Sequence, residues 1–240
     1  MWRLLYSVLL CAALPVAPWL ARNVATHNAL ALTTQEGSHL YNWVLPLVRQ
    51  AKDGTPHEVA AREIEGRFFK RLADQGIDRL KLDPFVRSRL FRDMALEELR
   101  SMPPAVIAKA WFKGAVTNIV APAITIDPRV RRERTASTYN DPSPGLWGRM
   151  ESYLATTGPA LRPWIVAALA ASALSGALQI LGFVALARRK PWAAVFAMLA
   201  LAYVLLATGP IYSPKYRMPM EPVLIVLAAL GVLSLRRGRL

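Results

Sequence analysis

The chain has 240 residues, 54% of them hydrophobic, and its 30 Lys and Arg against 16 Asp and Glu give a formal charge of +14. A mean hydropathy of +0.26 is too high for an ordinary soluble domain, while the charge is too dense for a bare bundle of spans. Charges are nearly absent from four segments and crowded elsewhere, as in a membrane protein with one sizeable aqueous part.

The basic balance does not argue for nucleic acid. No zinc-finger spacing or RNP-like aromatic motif accompanies it, and many of the cations flank apolar segments, where they anchor spans and meet anionic headgroups. Cys11 is the single cysteine, so no intrachain disulfide forms, and its apolar surroundings suit an inert thiol.

The first apolar segment, residues 4–20, lies between Arg3 and Arg22. A signal peptide is the competing reading, but Pro18-Trp19 is a poor cleavage context, and a span ending in an interfacial Trp19 fits better. Pro15 and Pro18 are expected to kink or end its last turn.

Residues 163–187 form the second segment. About 20 residues at ~1.5 Å rise cover roughly 30 Å of hydrocarbon, and the small residues from Ala170 to Ala177 suit close helix packing in lipid. The third segment, 192–208, follows the turn Arg188-Arg189-Lys190-Pro191, and the fourth runs from about 218 to 235 before a basic tail. The expected fold class is an α-helical integral membrane protein of four transmembrane helices. Residues 1–22 form the first, 23–161 a mainly helical external region, and 162–240 the other three.

Orientation follows from the basic residues of the short loops. Arg3, Arg188 to Lys190, and Arg236, Arg237 and Arg239 place both termini in the cytoplasm and residues 23–161 outside. Lys215 and Arg217, in the short external loop, run against that bias.

Within the external region, residues 57–75 carry Val59, Ala60, Ile64, Phe68 and Leu72 at helical spacing. A second helix is predicted over 85–101, with Asp83 as cap and Pro84 at its first position, and a third over 105–120 after the break at Pro103-Pro104. These read as a few helices near the membrane rather than an independent domain. From 122 to 159 the periodicity fades into turn signals; the basic run 129–134 reads as a solvated or headgroup-facing loop, and Trp147 and Tyr153 as interfacial residues.

Catalytic patterns are absent from the sequence. His27, His39 and His57 stand 12 and 18 positions apart with no HExxH pair, and no Walker loop, GxGxxG or GxSxG elbow occurs. Glu36 is a candidate rim residue or a helix cap. Glu221 precedes Pro222 at the head of the last span, where a carboxylate is either functional or paired with Lys215 or Arg217. Lys215 and Arg217 either snorkel to the interface or hold a phosphate, Lys as a point charge and Arg in bidentate geometry. Prolines at 210, 214, 219 and 222 stiffen this loop and lower the ordering cost of binding.

Three stretches resemble bacterial GT-C glycosyltransferases of the protein-mannosyltransferase and aminoarabinose-transferase type. They are PWLARN at 18–23 followed by LTTQEGSHLYNW at 32–43, MALEELRSMPPAVIAKAWFK at 94–113, and KYRMPMEPVLIVLAALG at 215–231. Ser38 and His39 depart from the usual residues, and Lys215 stands where an arginine is usual. The resemblance implies transfer of a sugar from a polyprenyl-phosphate donor to a lipid or protein acceptor. Lys215, Tyr216 and Arg217 would then meet the carrier phosphate, with Arg22, Glu36, Gly37, Tyr41 and Glu221 toward the donor or acceptor. It also implies that the catalytic N-terminal part, with any divalent cation it uses, lies outside this chain, in a separate multi-span partner or a longer protein. No catalytic residue and no cofactor is expected here, and the other partners would be membrane lipids. The alternative is a non-enzymatic membrane protein whose external region binds a partner or the lipid surface.

Overall fold

The computed structural model describes residues 6–7, 10–11, 13–78, 81–132 and 145–236, and all regular structure among them is helical. The chain divides into two units: Met1–Pro46 with Ala61–Met102, and Leu47–Ala60 with Pro103–Leu240.

In the first unit, the described part of the first apolar segment reaches Ala13 and turns at residues 14–16. A new helix then starts, α1 (Ala17–His27), with Pro18 in its first turn. Pro18 therefore opens a helix rather than ending one, because the first turn needs no N–H from it and its fixed φ is already helical. Asn28 closes α1 in the left-handed conformation, φ 48°.

Helix α2 (Gln35–His39) runs through a π-helical turn (Leu40–Val44) into α3 (Leu45–Asp53), a stretch that sequence periodicity did not reveal. α4 (His57–Asp74) and α5 (Pro84–Arg100) follow the predicted spacing closely. Asp83 caps α5 as expected, Oδ1 accepting from the N–H groups of Phe85 at 2.8 Å and Val86 at 3.3 Å.

Tyr41, Ile64, Phe68, Leu72, Ala95 and Leu99 form the buried core of this unit. The Tyr41 ring stacks on Phe91 at 4.4 Å, and Phe91 meets Phe68 at 4.6 Å. Full burial of each such ring stabilises by about 1.5–3 kcal/mol. The exposed pairs Arg67–Glu98 and Arg71–Glu97 join α4 to α5 but add at most ~1 kcal/mol each.

The second unit contains α6 (Pro104–Val120), a 3-10 turn (Ala123–Ile126), α7 (Pro128–Arg132) and α8 (Gly145–Ala155). After these come α9 (Arg162–Arg189), α10 (Pro191–Thr208), a 3-10 helix (Pro214–Met220) and α11 (Glu221–Arg236). Three helices are long and apolar enough to cross a membrane: α9, α10 and the continuous stretch Pro214–Arg236.

α9 and α11 pack through glycines. A Cβ on Gly182 would collide with the carbonyl of Leu227, and one on Gly231 with the carbonyl of Leu178. Where two helices sit in a bilayer, lipid tails offer no hydrophobic drive to pair them, and close backbone approach with full van der Waals contact takes its place.

Two expectations in the 122–159 stretch are corrected. Tyr153 is buried with Val130 and Ile165 rather than lying at an interface. The basic run is helical rather than loop as far as Arg132, though Arg129 is 85% exposed, as a solvated position requires, and its Nη2 donates to Asp127 Oδ2 at 3.0 Å. The Asp127 carboxyl is held down to about 2, chiefly by that side chain. The Trp147 side chain and residues 133–144 lie outside the described parts.

Candidate functional site

The site is built on α6. Ala110, Gly114 and Asn118 are its buried residues, and their four-residue spacing puts them on one side of the helix. Gly114 admits the backbone of the loop after α10: a Cβ there would stand 2.8 Å from the Gly209 carbonyl oxygen and from Pro210.

Asn118, with no exposed surface, uses both ends of its amide. Nδ2 donates to the Ile211 carbonyl at 2.9 Å, and Oδ1 accepts from the Ser213 N–H at 2.8 Å. One side chain thus serves the loop as a neighbouring strand would, leaving neither backbone group stranded in a buried place. Trp111 Nε1 donates at 3.3 Å to the Leu206 carbonyl, which also accepts from the Gly209 N–H at 3.2 Å. Arg217 Nη1 donates to the Ile119 carbonyl at 2.9 Å and closes the set.

α6 therefore fixes the 209–217 loop, and the loop presents cations. Lys215 is exposed, with Nζ 5.0 Å from the centre of the Tyr216 ring. Lys113, from α6, has Nζ 5.9 Å from the centre of the Tyr212 ring. The Tyr212 ring is buried and the Tyr216 ring half-buried; such a cation–π contact is worth about 0.5–2 kcal/mol, depending on how far it is desolvated.

Arg217 differs from both lysines. Its side chain is 14% exposed, and Nε lies 2.7 Å from Glu221 Oε1. The Nε–H is not aligned on that oxygen, so the contact is an ion pair rather than a hydrogen bond. Of the two partners expected for Glu221, Arg217 is the one found. Glu221 also stands in the first turn of α11, where the helix dipole favours a carboxylate.

The other four sequence candidates fall in the first unit. Arg22 lies on α1 with its guanidinium 5.0 Å from the Trp19 ring centre, and Nη1 donates to Asn23 Oδ1 at 3.3 Å. Glu36 is exposed in the first turn of α2, 3.9 Å from Arg92. Gly37 sits against Ser88: its N–H donates to Ser88 Oγ at 3.2 Å, and that hydroxyl donates to the Thr34 carbonyl at 2.9 Å. Tyr41 is a core residue whose hydroxyl donates to the Ile64 carbonyl at 2.6 Å. Burial pushes that hydroxyl well above the usual tyrosine range, so it serves as a fixed donor.

The structure thus brings together Lys215, Tyr216, Arg217 and Glu221, and adds Lys113 and Asn118, which sequence reading passed over. An asparagine inside the apolar run Ala115 to Val120 was the available signal for Asn118. Nothing local marks Lys113, because its place is set by Tyr212, 99 positions later. Among the described residues, no group of three or more His, Cys, Asp or Glu could hold a metal ion. Compared with family models, with curated proteins and with solved structures, the chain matches none.

Proposed function

We propose that this chain is the C-terminal region of a membrane glycosyltransferase that uses a polyprenyl-phosphate sugar donor, and that the 209–221 loop with Lys113 receives the carrier's phosphate. The supporting observation is the charge balance of one braced loop. Lys215 and Arg217 lie on this loop and Lys113 reaches its Tyr212, while Glu221, paired with Arg217, is the one carboxylate in the sequence from 209 to 221.

Lys113 and Lys215 are the direct phosphate contacts in this reading, Lys215 exposed beside the Tyr216 ring and Lys113 beside that of Tyr212. Arg217 is the brace: its bonds to Ile119 and Glu221 hold the loop, and its charge adds to the field. The sugar-transfer residues are assigned to a separate multi-span part.

The topology proposed with it rests on two features. The bonds from Asn118 to Ile211 and Ser213 need both segments on one side of the membrane, and the two crossings of α9 and α10 return the chain to that side. With the basic 188–190 turn in the cytoplasm, that side is external, the periplasmic face of a bacterial inner membrane.

The test is binding of a polyprenyl phosphate to the full chain in nanodiscs, read by native mass spectrometry, with the uncharged polyprenol as comparison. A charge-assisted contact contributes roughly 1.5–3 kcal/mol, and about 1.4 kcal/mol is tenfold. Lys113→Ala with Lys215→Ala is expected to weaken the phosphate ligand by about a hundredfold or more and to leave the alcohol unchanged. Equal binding of phosphate and alcohol, or an unaltered affinity in the double variant, overturns the reading.

A further inference from the structure

α6 has its polarity inverted relative to a helix that faces water. Its protein-facing seam is small and polar, Ala110, Gly114 and Asn118. The opposite face, at about 100° per residue, carries Ala105, Ala108, Phe112, Val116 and Val120. Phe112 is 71% exposed and Val120 50% exposed. A helix solvated by water keeps such residues for its core; one solvated by lipid does the reverse.

Two further features identify what covers this face. From Leu99 to Ile126 the sequence contains no Asp or Glu, while Lys109 and Lys113 fall on one flank of the apolar face, on either side of Val120. An apolar stripe edged by lysines suits anionic headgroups above acyl chains, with the lysine stems lying along the apolar surface.

We infer that α6 is an interfacial helix, lying in the leaflet that holds the 209–221 loop, with its Ala105, Ala108, Phe112, Val116 and Val120 face against acyl chains and Lys109 and Lys113 at headgroup level. Lys109 already bends back, its Nζ 3.4 Å from the Ala51 carbonyl. The inference needs the three apolar helices to sit in a bilayer and does not depend on the carrier-phosphate reading.

The experiment uses the full chain in vesicles of phosphatidylethanolamine and phosphatidylglycerol. In a Cys11→Ser background, a nitroxide is attached in turn to Phe112→Cys, Ala108→Cys and Glu65→Cys, and collision with oxygen is compared with collision with a water-soluble nickel chelate. Oxygen is expected to dominate at 108 and 112 and nickel at 65, so the logarithm of the ratio changes sign between them. Nickel access at both 108 and 112 places the face in water and overturns the inference. Exclusion of both quenchers at those positions puts a protein partner there and also overturns it. Either result leaves polyprenyl-phosphate binding by Lys113 and Lys215 untouched, so the two proposals fail separately.

Discussion

Arg217 and Glu221 stand four residues apart at the head of α11, with Nε 2.7 Å from Oε1, while Arg217 Nη1 reaches back to the Ile119 carbonyl. One guanidinium therefore ties the 3-10 helix both forward to α11 and sideways to α6. A lysine has one charged nitrogen and cannot hold both partners in this geometry. Arg217→Lys is expected to destabilise the second unit by roughly 1–3 kcal/mol, read from unfolding in mixed micelles. Glu221→Gln, at a more exposed carboxylate, is expected to cost about 1 kcal/mol or less. If Arg217→Lys melts with the parent, the brace assigned to Arg217 is wrong.

Asn118 gives a sharper test, because its two bonds have opposite requirements. Asn118→Ala removes both and strands a buried carbonyl and a part-buried N–H, a loss of about 2 kcal/mol or more. Asn118→Asp keeps an acceptor for Ser213, loses the donor for Ile211 and adds a buried charge. Aspartate is therefore expected to be no better than alanine, despite its similar shape. An aspartate variant as stable as the parent would contradict the bonding at Ile211.

Glycine substitutions separate packing from composition in α9. Gly182 and Gly176 lie in one helix, but only Gly182 touches a neighbour: a Cβ there meets the Leu227 carbonyl, whereas nothing lies within 4 Å of one on Gly176. Gly182→Leu is expected to part α9 from α11 and destabilise by at least ~1–3 kcal/mol. Gly176→Leu is expected to be neutral or stabilising, since glycine costs a helix roughly 0.5–1 kcal/mol relative to alanine. Cysteine crosslinking between α9 and α11 would report the separation; equal crosslinking in both variants would refute it.

These contrasts show where sequence patterns suffice. α9, α10 and α5 were readable to within about two residues, because unbroken apolarity, Pro84 after Asp83, and the 188–190 basic turn are local signals. The α2–α3 stretch was not, since Gly37, Asn42 and Pro46 weaken helix propensity locally. What favours the helix there is tertiary: Gly37 against Ser88, and the Tyr41 hydroxyl on the Ile64 carbonyl. In the candidate site, the loop cations and the Glu221 ion pair were legible. Lys113 and Asn118 were not, because their partners follow more than ninety positions later.

Acid should act on the first unit through Asp83. The His27 ring, whose Nδ1 lies 2.6 Å from Oδ2, is the main reason the Asp83 carboxyl is held below its ordinary range, with the Phe85 and Val86 N–H groups adding to it. A folded-state value below the unfolded one gives stability that is complete above the ordinary carboxylate range and is lost as pH falls through the lowered value. Asp83→Asn retains a capping oxygen but not that titration. The parent's stability advantage over Asp83→Asn is expected at neutral pH and to vanish in acid, measured by pH-dependent thermal unfolding. A constant difference across the range would refute it.

The Asn118 amide also has a consequence for timing during synthesis. Ile211 emerges 93 residues after Asn118, with two long apolar helices made in between. The turn that joins the last pair of apolar helices is thus held by a residue made long before it, whose amide meets its two partners only once residues 211 to 213 follow. A chain arrested before Ile211 carries a finished helix and a vacant acceptor-donor pair, a stalled intermediate that differs from the mature protein by an uncovered polar seam.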